Sequence, residues 1–363
     1  MTAVRNLSWT VVAPVLAVVV LPLAWGRDLA TLMVVVVALL LGGAVLAAVQ
    51  HAEIVAHRVG EPFGSLVLAV AVTVIEVGLI ITLMLAGGPE ASTLARDTVF
   101  AAVMITCNGI VGLSILLGAL KYELVSFNME GTSAALATVA TLATLTLVIP
   151  TFTTSHPGPQ FSPEQLAFAA IASLVLYLLF VATQTGRHRD FFLPADEDGD
   201  GLPDHEHAEP PSARTALASL GLLVVSLVAV VGLAKVLSPS IKDAVDAAGA
   251  PESFVGVVIA LLVLLPESLS AARSALKDRL QVSLNLAYGS SMASIGLTIP
   301  ALAVATIWVD TPLELGLGST QIILLVLTVL VGMLTVSPGR ATRLQGGLHL
   351  VLLAAFLFLA IAP

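Results

Sequence analysis

Run after run of about twenty apolar residues leaves this 363-residue chain few ways to fold. Each run is long enough to cross a bilayer as a helix. In lipid a spanning segment must satisfy its own backbone hydrogen bonds, and a helix does so. The chain is 58% hydrophobic and 11% charged, whereas a soluble domain carries about 25% charged residues. Eleven spans are expected, at 10–26, 29–48, 63–87, 98–120, 132–152, 164–186, 214–237, 253–275, 281–307, 319–337 and 343–362. Clusters of turn and breaker residues separate them: AGGPEAS, TSHPGPQFSP, LSPS, AGAPES and SPGR. The first run is similar to the apolar part of a signal peptide, but no small-residue cleavage site precedes the next run, so a retained helix is expected. The fold class is an all-α polytopic membrane protein. Its single cysteine, Cys107, excludes a disulfide framework or a thiolate metal cluster within one chain.

The distribution of charge orients these spans. With the N-terminus inside, eleven Lys and Arg residues fall on inner segments and four (Arg27, Arg96, Lys235 and Lys242) on outer ones. By the positive-inside rule the N-terminus is cytoplasmic and the C-terminus outside. Eight of the 24 acidic residues crowd between Asp190 and Glu209, so the net charge of −9 is local in origin. That acidic loop follows the sixth span. Setting the first span aside leaves five on each side, and an odd number makes the second block enter the membrane inverted. The expected organisation is an N-terminal helix (1–27), a first five-helix repeat (28–186), an acidic cytoplasmic loop (187–213) and a second, inverted five-helix repeat (214–363). Inverted repeats are a secondary-transporter architecture, with the site at the midplane. A sequence echo supports the pairing: VGLSI (111–115) against IGLTI (295–299), each in the third span of its block.

Two acidic residues sit deep in spans: Glu76 and Glu267, each near the centre of the second span of its block. A charge at a helix centre costs about 2.5–3.5 kcal/mol on insertion scales. Such a carboxylate is neutralised by a proton or by a bound cation, and competition between the two is the coupling an antiporter needs. The alternative is a structural pair bonding across helices. Oxygen donors accompany the glutamates: Thr73, three residues before Glu76; Asn108; and Ser290, Ser291 and Ser294, the first and last of which share a helix face. Pro266 removes a backbone donor next to Glu267 and so frees a carbonyl. These are hard oxygen ligands suited to alkali and alkaline-earth ions. For each hydroxyl alone, helix packing is the plainer role, and for Asn108 an interhelical bond.

The segments QHAEIVAHRVGEPFGSLVLAVAVTVIEVGLI and LLPESLSAARSALKDRLQVSLNLAYGSSMASIGLTIPAL resemble the two repeat regions of calcium/proton exchangers, within the cation/calcium exchanger superfamily. The likeness is nearest to the bacterial calcium, sodium or potassium/proton antiporter branch. It implies that Glu76 and Glu267 bind the transported cation. The Gly-Asn that precedes this glutamate in the family is replaced by Val72-Thr73 and Val263-Leu264. The family's Gly-Ser is matched by Gly289-Ser290, and its counterpart in the first repeat reads Cys107-Asn108. Fewer oxygens therefore surround the glutamates, which leaves room for Na+ or K+ beside Ca2+. The resemblance also implies a bacterial inner membrane.

Before the third span, His51, Glu53, His57 and Glu61 lie near the inner face. Glu53, matched to a glutamate of the family, and His57 are candidates for proton relay or cation entry, against a solvated helix end. A zinc site on the two histidines is a weaker reading. The acidic loop reads D-x-D-x-D-G-x-x-D over Asp196, Asp198, Asp200, Gly201 and Asp204. This is the opening of a calcium-loop pattern, but His207 stands where the bidentate Glu belongs and Pro203 interrupts it. Two readings stand, a solvated linker and a weak cytosolic cation sensor. The expected function is cation/proton antiport, exporting Ca2+, Na+ or K+ against H+. A membrane-embedded hydrolase and a cation channel are the alternatives. No cofactor and no nucleic-acid partner are expected; the partners are the bilayer, the transported cations and protons.

Overall fold

The computed structural model describes residues 9–27, 29–60, 63–186, 188–193, 211–247, 249–251, 253–309 and 311–362. It is almost wholly helical. The helices are α1 (Trp9–Ala24), α2 (Thr31–Val59), α3 (Phe63–Gly87), α4 (Leu94–Met104), α5 (Val111–Tyr122), α6 (Met129–Ala143), α7 (Pro163–Thr185), α8 (Ala213–Ala247), α9 (Ser253–Ala275), α10 (Leu280–Ala305), α11 (Ser319–Val336) and α12 (Arg343–Ile361). A π-helical turn, Ile105–Ile110, joins α4 and α5 into one span, and a second, Thr144–Val148, prolongs α6. Among the described residues ten spans are long and apolar enough to cross a membrane, and α1 is a shorter apolar helix.

Two expectations about boundaries are corrected. The second span does not stop at residue 48; α2 continues to Val59, so Glu53 and His57 ride on the same helix. LSPS does not break the chain either, because α8 carries Pro239 inside it. A proline removes one backbone hydrogen bond, and within a bundle neighbouring groups can tolerate that loss.

The chain divides into two compact units, 1–91 with 205–248 and 92–204 with 249–363. In the first, α2 packs on α1, α3 and α8. Its contact stripe is made of small residues, Ala44, Ala47, Ala48 and Ala52, all fully buried. Small side chains let helices approach closely where lipid supplies no hydrophobic drive.

In the second unit α10 packs against α6, α7, α9 and the π-turn between α4 and α5. The α5–α12 contact is close, backbone to backbone. A Cβ on Gly346 would lie 2.7 Å from the Leu116 nitrogen and 2.9 Å from the Gly112 carbonyl oxygen. Basic side chains close the helix ends. Lys121 Nζ and the Tyr122 hydroxyl donate to the Leu276 carbonyl just past α9, at 2.7 and 3.0 Å. Arg343 Nε donates to the Ala119 carbonyl near the end of α5 at 3.2 Å. Cations there complement the negative end of the helix dipole. A two-residue ladder, β1 (Val125–Ser126) with β2 (Arg340–Ala341), ties the loop after α5 antiparallel to the loop before α12.

Candidate functional site

Each unit carries one of the two glutamates. In the first, Glu76 is buried on α3, with Thr73 buried one turn before it. In the second, Glu267 is buried on α9, directly after the in-helix Pro266. Pro266 has no N–H to give the Leu262 carbonyl, which frees that oxygen. Ser291 and Ser294 are buried on α10 and Ser290 is half-buried. α9, α10 and the π-turn that carries Cys107 and Asn108 pack on one another, so the second unit brings Glu267, the serines and Asn108 onto three adjoining elements. A Cβ placed on Gly289, next to Ser290, would meet no atom within 4 Å. α10, which the sequence echo pairs with the α4–α5 span, runs without a π-turn.

Among the described residues no three His, Cys, Asp or Glu side chains gather in a way that would hold a metal ion. A cation at either glutamate must therefore draw further oxygens from hydroxyls, amides and freed carbonyls. Calcium takes 6–8 oxygens, so this shortage weighs most on calcium.

Asn108 is bonded through both ends of its amide. Its Nδ2 donates to Thr328 Oγ1 of α11 at 2.8 Å, and its Oδ1 is 3.1 Å from Nδ1 of His349 on α12. Nε2 of the same histidine lies 3.2 Å from Thr335 Oγ1. The interhelical-bond reading of Asn108 thus describes its visible partners, and one lone pair of its oxygen remains for other use. Glu53 and His57 are exposed on α2. His51 is buried, with Nε2 3.0 Å from the Thr10 carbonyl oxygen. Asp196, Asp198, Asp200 and Asp204 lie outside the described residues.

Sequence reasoning missed a third buried carboxylate. Asp97, 3% exposed at the start of α4, pairs with Arg96 Nε at 2.9 Å. It also accepts from the Thr93 hydroxyl at 2.8 Å and from Gln321 Nε2 at 3.3 Å. Arg96 in turn donates to the Gly316 carbonyl at 3.2 Å. A cavity of about 290 Å³ adjoins the pair, lined in part by Phe100, Leu324 and Phe356. Asp97 falls one residue outside the span assigned from hydropathy, and its partner Gln321 is 224 residues away. The only local signal was an Arg-Asp dipeptide at a span boundary.

Known proteins place this architecture. A protein of Sinorhizobium fredii called ionic transporter y4hA, a name that specifies no ion, is 47% identical over 89% of this chain and 87% of its own. The sodium-potassium/proton antiporter ChaA of Escherichia coli is 36% identical over 97% of this chain and 96% of its own. The solved structure of native YfkE superposes with a TM-score of 0.71 at 18% identity, covering 98% of this chain and 99% of that one. That of the H+/Ca2+ exchanger CAX gives 0.66 at 15% identity, covering 96% and 86%. At such identities the structural likeness speaks for the fold alone. The pattern described as sodium/calcium exchanger protein matches residues 29–186 and 218–362, and the chain belongs to that family.

Proposed function

We propose that this protein is a secondary cation/proton antiporter that exports a cytosolic cation, Ca2+, Na+ or K+, against inward H+. The observation that carries the reading is the pair of buried carboxylates, Glu76 and Glu267, each within a membrane-spanning helix. Family membership supports it, as does a relative named for sodium-potassium/proton antiport that matches almost end to end. A carboxylate in a dry span exchanges charge partners at low cost: a proton neutralises it, or a cation does. Since the two cannot occupy the same oxygens at once, loading one unloads the other. Thr73, Asn108, Ser290, Ser291 and Ser294 supply further cation oxygens. Glu53 and His57 feed protons or cations from the inner face. The loop carrying Asp196, Asp198, Asp200 and Asp204 collects or senses cations without taking part in transport.

The same reading takes the chain as an N-terminal helix (1–27) and two inverted five-helix repeats (28–186 and 214–363) around the loop at 187–213. Its N-terminus is cytoplasmic and its C-terminus outside, in a bacterial inner membrane. The replacement of the family's Gly-Asn by Val72-Thr73 and Val263-Leu264 favours a site with few neutral oxygens, and so includes monovalent cargo. The test is exchange in sealed vesicles, read as cation-dependent pH change. Glu76→Gln and Glu267→Gln keep side-chain size but cannot cycle between proton and cation, and each should abolish exchange in a folded protein. Exchange at the wild-type rate in either variant removes that residue from the coupling site.

A further inference from the structure

His349 is a buried ionisable side chain in a span, and the antiport scheme gives it no task. It lies on α12, wholly shielded from solvent, one turn beyond the tight α5–α12 contact at Gly346. Both ring nitrogens have partners. Nδ1 faces Asn108 Oδ1 at 3.1 Å and Nε2 faces Thr335 Oγ1 at 3.2 Å.

The chemistry of these partners orders the protons. Asn108 Nδ2 donates to Thr328 Oγ1, and the Thr328 hydroxyl donates to the Met104 sulfur at 3.5 Å. Asn108 Oδ1 accepts only. Nδ1 therefore carries the proton, and in the neutral ring Nε2 takes the proton of the Thr335 hydroxyl. One direction of donation runs from Thr335 through His349 and Asn108 to Thr328 and Met104. It joins α11 and α12 to the π-turn at Ile105–Ile110.

That turn needs holding. A π-turn exchanges i→i+4 bonds for i→i+5 bonds and is an uncommon insertion in a helix, often found at functional sites. Here it carries Cys107 and Asn108. It also adjoins α10. The clamp from α11 and α12 thus sets where the turn stands against the helix that bears Ser290, Ser291 and Ser294.

We propose that His349 is a positioning residue for cation binding: it locks the Asn108 amide, and through it the π-turn, against α10. The proposal rests on the antiport reading above, with the cation oxygens of the second unit lying along α9, α10 and this turn. Leucine at 349 leaves Asn108 Oδ1 without its donor and the Thr335 hydroxyl without its acceptor. Asparagine keeps an N–H near the place of Nδ1.

The test measures initial rates of exchange against cation concentration in vesicles, together with the amount and melting temperature of folded protein. His349→Leu should raise the cation KM about two- to tenfold, the factor a neutral hydrogen bond supplies, with the maximal rate per folded molecule little changed. His349→Asn should restore KM to within about twofold. A purely structural role would lower the folded amount and leave KM where it was. Should His349→Leu not fold, Thr335→Val releases the far nitrogen with the histidine in place and must move KM in the same direction. An unmoved KM in the variants that fold overturns the proposal. Wild-type protein in the same vesicles separates the two ideas: no cation-dependent pH change there sinks the antiport reading, whereas exchange beside an unmoved KM in the His349 variants sinks only the role of His349.

Discussion

Adjacent glycines at 346 and 347 offer a comparison in which one methyl group has opposite consequences. A Cβ on Gly346 would meet the Leu116 nitrogen at 2.7 Å and the Gly112 oxygen at 2.9 Å, both backbone atoms of α5. Ordinary contact begins near 3.4 Å, so α5 and α12 must part by roughly 0.7 Å. Overpacking of that kind costs about 1–3 kcal/mol. The same parting would stretch the His349–Asn108 bond from 3.1 Å toward roughly 3.8 Å, too long for a hydrogen bond, at a further cost of about 0.5–1.5 kcal/mol. A Cβ on Gly347 meets nothing within 4 Å. Both substitutions gain the same helix propensity, up to about 1 kcal/mol, so their difference isolates the clash at roughly 2–4 kcal/mol. Thermal unfolding of the purified variants in detergent reads it directly. Gly346→Ala should melt several degrees below wild type, and Gly347→Ala at or slightly above it. Equal melting temperatures for the two would refute the close approach of α5 and α12.

Further outcomes follow from the open and acidic places. Gly289→Ala should melt at or slightly above wild type, because its Cβ has room and alanine favours the helix, yet slow transport if that space beside Ser290 is on the cation's path; a wild-type KM and rate would take Gly289 off it. Deleting residues 195 to 208 should leave exchange measurable and shift only the cytosolic cation concentration at half-maximal rate. Complete loss in a folded deletion would move the acidic loop into the transport machinery.

Hydropathy reads most of this fold because lipid demands it: apolar runs of one bilayer's length leave the backbone no choice but helix. It fails where a helix leaves the apolar layer while its backbone bonds continue. His51, Glu53, His57 and Arg58 end the apolar run, but α2 carries on through them. Pro239 looks like a break and is not one. The π-turns at Ile105–Ile110 and Thr144–Val148 are invisible to periodicity over windows of a dozen residues or more. The buried glutamates stand out in sequence because charge is rare in a span. The partners of Asn108 do not, since His349 lies 241 residues away and only tertiary packing joins them. Asp97 was hidden for the opposite reason: it sits at a span boundary, where acidic residues are common, and its burial depends on Thr93, Arg96 and Gln321 arriving together.

The central claim is that protons and cations compete for Glu76 and Glu267. As pH falls on the cytoplasmic side, more of each carboxylate is protonated when the cation arrives, so a higher cation concentration is needed to displace the proton. At saturating cation the displacement is complete. The measurement is cation uptake into inside-out vesicles at several external pH values, with internal pH fixed. The account predicts that the apparent KM rises steadily as external pH falls, with the maximal rate nearly constant. A KM that stays put across that range would mean that protons and cations do not share these two glutamates, and would contradict the mechanism.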